Sequence, residues 1–499
     1  MKKLLSLLLV LFASFALFAC AGTGDAGGDK KTEEANKGPG PNAKVITFCT
    51  WDWGTEEAYN LKRRMVDKFN EDHYDEIYIE VVMPDGDYDT FLSTMAGARN
   101  LPDVFMVNSV PSTVINHLAY DLTTIAGADA EWATIDESLR TSVTYNGHIF
   151  GIPAGQYYMG FMANYKLLDK YLDADELRNS SEIFAPGAFT TEDFIKMVKA
   201  TRSIDQKGTS VIGLNATGDM INWLPSVLDE TGKTGHFVWN AETRKIGYRS
   251  QIMYDALTII NELGNKAADY TFDSVIAEAE KDAKKAYFGT TEAVNAFNNG
   301  QIGFFQDSTV GNFKDSEVLD YCFIGYPDSR VVSASDFMCI SRQTKNIEAA
   351  WEVAKYFSFG VEGTEAKFSI VDANPDANLK VVGIPLVNNP QIANKWFDYV
   401  TLKGAKEVYD GVIAGDILVL VEANKTVPGY QEARFKTTTG IAIEGHREGK
   451  PMNMSDYIWD VCSGDISVSD YQTQFTQELE DKMNGFITDG DNRIKELTK

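Results

Sequence analysis

Histidine and cysteine are scarce in this chain, whose 499 residues include five of each. No Cys-x-x-Cys pair occurs, so neither a zinc site nor a redox motif is indicated. The sequence also lacks Gly-x-Ser-x-Gly, His-Glu-x-x-His, a phosphate-binding loop and the dinucleotide fingerprint. We therefore predict no catalytic residue, metal ligand or cofactor. A catalytic carboxylate pair cannot be singled out among 72 acidic residues, so a secreted carbohydrate-active enzyme stays open as an alternative.

Positive charge is also in short supply, with 46 Lys and Arg against 72 Asp and Glu and a net charge of -26. This balance works against binding to phosphate backbones, so we predict no nucleic-acid partner. The chain is too long for one hydrophobic core, since single cores stop growing near ~250–300 residues. Two lobes are expected.

Long apolar runs are absent after the N-terminus. Lys2 and Lys3 precede an apolar run to residue 19, which is typical of a secretory signal, and residues 17 to 20, "LFAC", resemble the lipobox that is cut before a lipid-carrying cysteine. Residues 20–43 are rich in Gly and charged residues and predict a flexible tether. We expect residues 1–19 to be removed and Cys20 to carry the lipid; the alternative is an ordinary cleavage region around Cys20.

Strands alternate with helices in the part that follows the tether. The sequence predicts an apolar strand at 45–49, a helix to Phe69, a strand at 77–81, a helix to Gly97 and a strand at 103–107. This alternation predicts a parallel sheet covered by helices. Ligands bind beyond the carboxyl ends of such strands. Trp51, Trp53 and Asn108 follow two of these strands, so we expect them on one rim.

The middle of the chain continues this pattern. Thr190 and Asp193 form a capping-box signature, helices are predicted at 251–264, 291–300 and 346–358, and strands at 302–305 and 336–341. Trp351 and Trp459 lie within apolar patterns and are expected in the core. "DANPDAN" (372–378) resembles the start of a calcium loop but lacks its glycine and its bidentate acid, so an ordinary polar loop is predicted.

Several segments occur in an order that resembles the solute-binding lipoproteins of ABC importers, specifically the extracellular family 1 type that mostly serves sugars. The resemblance spans residues 45 to about 360 and is carried by "LPDVFMVN", "LAYDLT", "YNGHIFGIP", "ANYKLLDK", "FTTEDFIKMVK", "AVNAFNNGQIGFF" and "TKNIEAAWEVAKYFS". It implies a two-lobe α/β clamshell, similar to periplasmic binding proteins, in which each lobe is a mainly parallel sheet flanked by helices. The lobes are expected to be joined by crossing hinge segments, which would lie after Gly147–Pro153, near Ser335–Phe337 and near Ser358–Gly363. Lobe 1 would comprise 44–152 and about 336–362, and lobe 2 would comprise 153–335 and about 363–499.

A sugar presents a C–H face that packs on an indole, and its hydroxyls need paired donors and acceptors. Trp51, Trp53 and Asn108 are predicted to form the first lobe's half of the cleft, and Tyr158, Trp223 and Asp307 the other half. The family resemblance also places ligand contacts near Tyr88 and Asp336. Core packing is the alternative for each single residue.

The predicted function is capture of a sugar or oligosaccharide and its delivery to ABC importer permease subunits. The protein would be lipid-anchored at the extracellular face of a bacterial cell membrane, or periplasmic if the cell has an outer membrane. A receptor for a peptide, polyamine or other small solute is the alternative within transport.

Overall fold

The computed structural model describes residues 38–53, 60–170, 188–204, 208–265, 270–274, 281–309, 316–377, 379–381, 383–387, 389–400, 402–435 and 452–499. Those from Pro39 onward belong to a single compact unit that runs to Lys499. The predicted signal, Cys20 and most of the predicted tether lie outside the described residues.

The strands are β1 (Lys44–Cys49), β2 (Ile77–Val82), β3 (Val104–Val107), β4 (Thr144–Tyr145), β5 (His148–Ile149), β6 (Ile152–Asn164), β7 (Ile212–Leu214), β8 (Trp239–Asn240), β9 (Lys245–Ile246), β10 (Ile302–Ser308), β11 (Tyr321–Gly325), β12 (Arg330–Ile340) and β13 (Leu418–Val421). The α-helices are α1 (Leu61–Asp72), α2 (Tyr88–Gly97), α3 (Val110–Ile115), α4 (Thr123–Ala128), α5 (Glu137–Ser142), α6 (Tyr165–Leu168), α7 (Thr191–Ala200), α8 (Leu224–Leu228), α9 (Gln251–Gly264), α10 (Lys281–Phe288), α11 (Ala293–Asn298), α12 (Ile347–Tyr356), α13 (Val361–Ala373), α14 (Pro390–Phe397), α15 (Ala405–Ala414), α16 (Tyr430–Phe435), α17 (Met454–Cys462), α18 (Val468–Gln474) and α19 (Gln477–Leu497).

A mixed sheet of nine strands runs through the whole folded unit, in the order β2-β1-β3-β12-β6-β10-β7, with β11 beside β6 and β13 beside β12. The two long strands, β6 and β12, pass through both halves of this sheet. At one end β1 pairs in parallel with β2 and β3, and at the other β10 pairs in parallel with β7. Helices flank the strands, so the predicted two-lobe α/β architecture with crossing strands is confirmed.

The registers show which strand ends face each other. In the first half, Phe337 of β12 lies opposite Val107, the last residue of β3, and the rest of β12 continues beyond that end into the second half. In the second half, β10 runs antiparallel to β6, with Ser308 opposite Met159, so the carboxyl end of β10 points back toward the first half. Between them, Ala334, Ser335 and Asp336 pair with residues 155–157 of β6. The carboxyl ends of both halves therefore face the same junction.

Separate hydrophobic cores lie on the two sides of this junction. One contains Phe48, Phe105 and Trp351, and the other side holds two clusters, around Trp223 and around Trp396. Helix α13 lies at the boundary, because Ala366 and Ile370 belong to the first core and Phe368 to the cluster around Trp396.

The C-terminal part of the chain returns to the first core. Ile494, in the last helix, is buried among first-core residues, and Thr498 accepts a hydrogen bond from Asn146 at 3.1 Å. The hydroxyl of Tyr145 donates to the carbonyl of Thr426 at 2.8 Å. The last seventy or so residues thus contact both halves of the molecule.

Local sequence signals explain several helix ends. Thr190 and Asp193 form the predicted capping box at the start of α7. Ser250 caps α9, which spans Gln251–Gly264 as predicted and buries Met253, Leu257 and Ile260 at helical spacing.

Cysteines within the described ranges are unpaired and lie at Cys49, Cys322, Cys339 and Cys462. Three of them, Cys49, Cys322 and Cys339, occupy strands. No helix among the described residues has both the length and the apolar character needed to cross a bilayer.

Candidate functional site

Trp51 lies just beyond the carboxyl end of β1 with 37% of its surface exposed. The ring of Tyr88 packs edge-on against it, with 5.3 Å between ring centroids. The hydroxyl of Tyr88 donates toward two carbonyls, those of Cys49 and Met106, at 3.3 and 3.1 Å. Tyr88 therefore ties the ends of two neighbouring strands together and supports Trp51 at the junction.

Trp53 is only 2% exposed, unlike its neighbour two residues earlier. Its ring packs edge-on against Phe48 at 5.2 Å, and its Nε1 donates to the carbonyl of Val82 at 3.2 Å. In this conformation Trp53 is a core residue that holds the loop after β1 against the end of β2.

Asn108 follows β3, as predicted, and contacts two other segments of the chain. Its Nδ2 donates to both carboxylate oxygens of Asp89 at 3.0 and 3.1 Å. Its carbonyl accepts a hydrogen bond from Nε2 of Gln431 at 2.7 Å. Gln431 comes from α16, so Asn108 lies where the C-terminal part of the chain meets the first half.

Asp336 lies on β12 at the junction itself, opposite Gly155 of β6. Its Oδ1 pairs with Nζ of Lys425 at 2.8 Å, and the same ammonium donates to the carbonyl of Ser335 at 3.1 Å. Lys425 follows β13, whose carboxyl end points toward the first half because it runs parallel to β12. Lys62, at the start of α1, lies 3.8 Å from a carboxylate oxygen of Asp52. Burial lowers the pKa of Lys62, and the charges of Asp52 and Asp336 oppose this shift.

Asp307 and Tyr158 lie on the paired strands β10 and β6. Asp307 is partly buried, its Oδ1 accepts from the backbone N–H of Ser308 at 2.7 Å, and burial raises the pKa of its carboxyl. Tyr158 is buried in the cluster around Trp396, and its backbone is bonded to Thr309. Burial raises the pKa of the Tyr158 hydroxyl.

Trp223 and Trp459 differ from what their sequence surroundings predict. Trp223, which is predicted to line the second half of the cleft, is 0% exposed, with its ring stacked on Tyr326 at 5.2 Å in the core of the second half. Trp459 was expected in the core, and this is wrong, because the side chain is 42% exposed. Its ring instead covers Gly218, a few residues beyond the carboxyl end of β7.

The structure thus brings some of the predicted residues together and separates others. Trp51, Tyr88 and Asn108 form one rim, and the segment from Lys425 to Gln431 connects this rim to Asp336. Trp53, Tyr158 and Trp223 lie in three different hydrophobic clusters.

Sequence reasoning missed Lys62, Lys425 and Gln431. For Lys425 a signal was present: "LVLV" is a short apolar strand that is followed at once by "EANK". This is the same change from apolar strand to polar loop that pointed to the other rim residues.

A model of the bacterial extracellular solute-binding protein family matches residues 64–394, more than half of the chain. The chain belongs to this family. Solved structures show the same fold for this solute-binding protein. An ABC substrate-binding protein from Listeria monocytogenes, in complex with cycloalternan, superposes with a TM-score of 0.59 at 16% identity and covers 89% of this chain and 98% of its own.

Two further structures agree. A sugar transporter from Rhizobium etli gives a TM-score of 0.57 at 14% identity, covering 89% of this solute-binding protein and 99% of its own chain. The maltose-maltodextrin binding protein of Alicyclobacillus acidocaldarius gives 0.53 at 13% identity, covering 87% and 100%. A search of curated proteins finds no significant match.

Proposed function

We propose that this solute-binding protein captures a sugar or oligosaccharide between its two lobes and delivers it to the permease of an ABC importer. The observation that carries the proposal is Trp51, an exposed indole held by Tyr88 where the strands of the first lobe end. The same rim and the adjoining junction carry carboxylates, an amide and an ammonium, from Asp52, Asn108, Asp336 and Lys425. An aromatic face with mixed donors and acceptors suits the C–H face and hydroxyls of a sugar.

Trp459 is the counterpart that we propose on the second lobe. Among the eight tryptophans, all within the described residues, Trp51 and Trp459 are the two with large exposed surfaces. Trp51 lies near the carboxyl end of the parallel strand β1. Trp459 packs on Gly218, which lies near the carboxyl end of the parallel strand β7. Since those ends face the junction, the two rings are candidates to contact one ligand from opposite sides.

For the lobes we propose 44–152 with about 336–362 as lobe 1 and 153–335 with about 363–499 as lobe 2. Within the lobe 2 range, α13 is shared between the two cores and Ile494 of α19 packs in the first core. Ligand capture would then be a hinge motion about β6 and β12, driven by contacts that form in one arrangement of the lobes and not in the other.

Replacing Trp51 by Ala should weaken oligosaccharide binding by about 1–3 kcal/mol, the scale of one large apolar contact. The melting temperature should change little, because a partly exposed side chain leaves no core cavity. Calorimetry against a panel of neutral and acidic oligosaccharides measures the first quantity, and thermal unfolding measures the second.

Tyr74→Ala is the matched control. Tyr74 is 42% exposed and precedes β2, so it lies at the amino ends of the parallel strands, opposite to the ends that carry Trp51. Its replacement should leave the affinity for oligosaccharide unchanged. If no oligosaccharide binds but a peptide or polyamine does, the ligand class is wrong. If oligosaccharides bind and new reducing ends form, the protein is an enzyme.

We further propose that Cys20 carries a lipid that anchors the protein outside the cytoplasm. The lipobox-like "LFAC" and the Gly-rich residues that follow it support this. Cys20→Ser should abolish incorporation of labelled palmitate and release the protein from the membrane fraction. Retained label in the variant would contradict the proposal.

A further inference from the structure

A small cavity of about 30 Å³ lies against the hinge strand β6, where Ala154 and Gly155 form part of its wall. The remaining wall comes from Ser358 before α13, from α13 itself, from residues before α14, and from Trp396 of α14. This volume is enough for one or two water-sized atoms, so it can hold a small group but not a sugar ring.

Lys367 of α13 lines this cavity and has no carboxylate within ion-pair distance among the described residues. Its side chain is partly buried. Burial and repulsion by the ammonium of Lys62 lower the pKa of Lys367 to about 8. A partly buried ammonium without a counter-charge raises the free energy of the folded protein, and an anion bound beside it would lower that free energy.

Trp396 supplies a second donor to the same cavity. The residue is 3% exposed, and its indole Nε1 is buried without a hydrogen-bond partner among the described residues. Two donors, the ammonium of Lys367 and the indole N–H of Trp396, thus belong to residues that line one small space, and the indole N–H is buried without an acceptor. Buried polar groups are nearly always satisfied, so an acceptor is missing here.

We propose that the hinge cavity binds one small monovalent anion, held by Lys367 and Trp396. The shared chemistry is that of a carboxylate or a halide: a compact acceptor that carries one negative charge. Such a group has two sources, a halide from solution or the carboxylate of an acidic sugar; the second source rests on the proposed function. Because the cavity wall includes hinge residues of β6, an occupant contacts the strand that connects the two lobes.

The first experiment uses bromide as the probe. Crystals of the protein soaked in sodium bromide should show an anomalous difference peak beside Lys367. Replacing the bulky sulfonate MES by chloride at equal ionic strength should raise the melting temperature by about 2–4 °C. Both signals should disappear in Lys367→Met and persist in Lys345→Met, which removes the same charge from an exposed site.

The second experiment compares trigalacturonate with its methyl ester by calorimetry in MES. If the carboxylate enters the cavity, the acid should bind about tenfold tighter than the ester, and this preference should vanish in Lys367→Met and Trp396→Phe but persist in Lys345→Met. Either the bromide signal or the carboxylate preference supports the site, and the pattern identifies the source of the anion.

The site is overturned if bromide gives no peak, chloride gives no stabilisation and the acid has no advantage over the ester, since the cavity then holds only water. Oligosaccharide binding without these signals would leave the proposed function standing. Bromide at Lys367 in a protein that binds no oligosaccharide would support the anion site and contradict the proposed function.

Discussion

Trp223→Ala should lower the free energy of unfolding by about 3–5 kcal/mol, the cost of emptying a large aromatic site in a packed core. The Trp223 ring stacks on Tyr326 with an interplanar angle of 14° and packs edge-on against Phe161 and Phe194 at 6.0 and 5.9 Å. Those neighbours belong to β6, α7 and the turn before β12, so they cannot all move inward to fill the space.

Guanidinium denaturation followed by circular dichroism measures this loss. Trp51→Ala is the matched control, because it removes the same side chain from a partly exposed position and should change stability by less than about 1 kcal/mol. Equal stability of the two variants would contradict the core position of Trp223.

Gly213→Ala should cost about 3 kcal/mol or more through overpacking. A Cβ at Gly213 would lie 2.5 Å from the Cα of Val198 and closer still to its carbonyl oxygen. Those atoms are backbone of α7, packed directly on β7, so relief requires the helix to move away from the strand. A flexible side chain could turn aside, but a helix backbone cannot.

Gly155→Ala is the matched control, because it tests whether any methyl group added to a glycine of this sheet destabilises the protein as much as Gly213→Ala. A Cβ at Gly155 meets no atom within 4 Å, so its expected change is within about 0.5 kcal/mol. Thermal and denaturant unfolding of the two variants, side by side, give the comparison. A small loss for Gly213→Ala would show that α7 is not held firmly on β7.

Local patterns in the sequence predicted most of the elements. The capping box before α7, the full span of α9 and the strand-helix alternation from β1 to β3 follow from short-range rules of capping and periodicity. The rule that the carboxyl ends of parallel strands share one rim also predicted Trp51 and Asn108 there.

Side-chain direction in irregular segments could not be predicted in the same way. Trp51 and Trp53 share one short loop, yet the first is exposed and the second is buried, because the contacts of Trp53 with Phe48 and Val82 depend on how the loop turns after β1. Gln431 bonds to Asn108 across 323 positions of sequence, a distance over which no local pattern carries information.

The return of the C-terminal residues to the first core affects the order in which the protein can fold. Ile494 is buried among side chains that begin at Ile46, and β12 separates β3 from β6 in the same sheet. Domains usually fold as units as their residues leave the ribosome, starting from the N-terminus. Here the first lobe lacks part of its core until α19 has been made, so its N-terminal residues cannot complete this lobe by themselves.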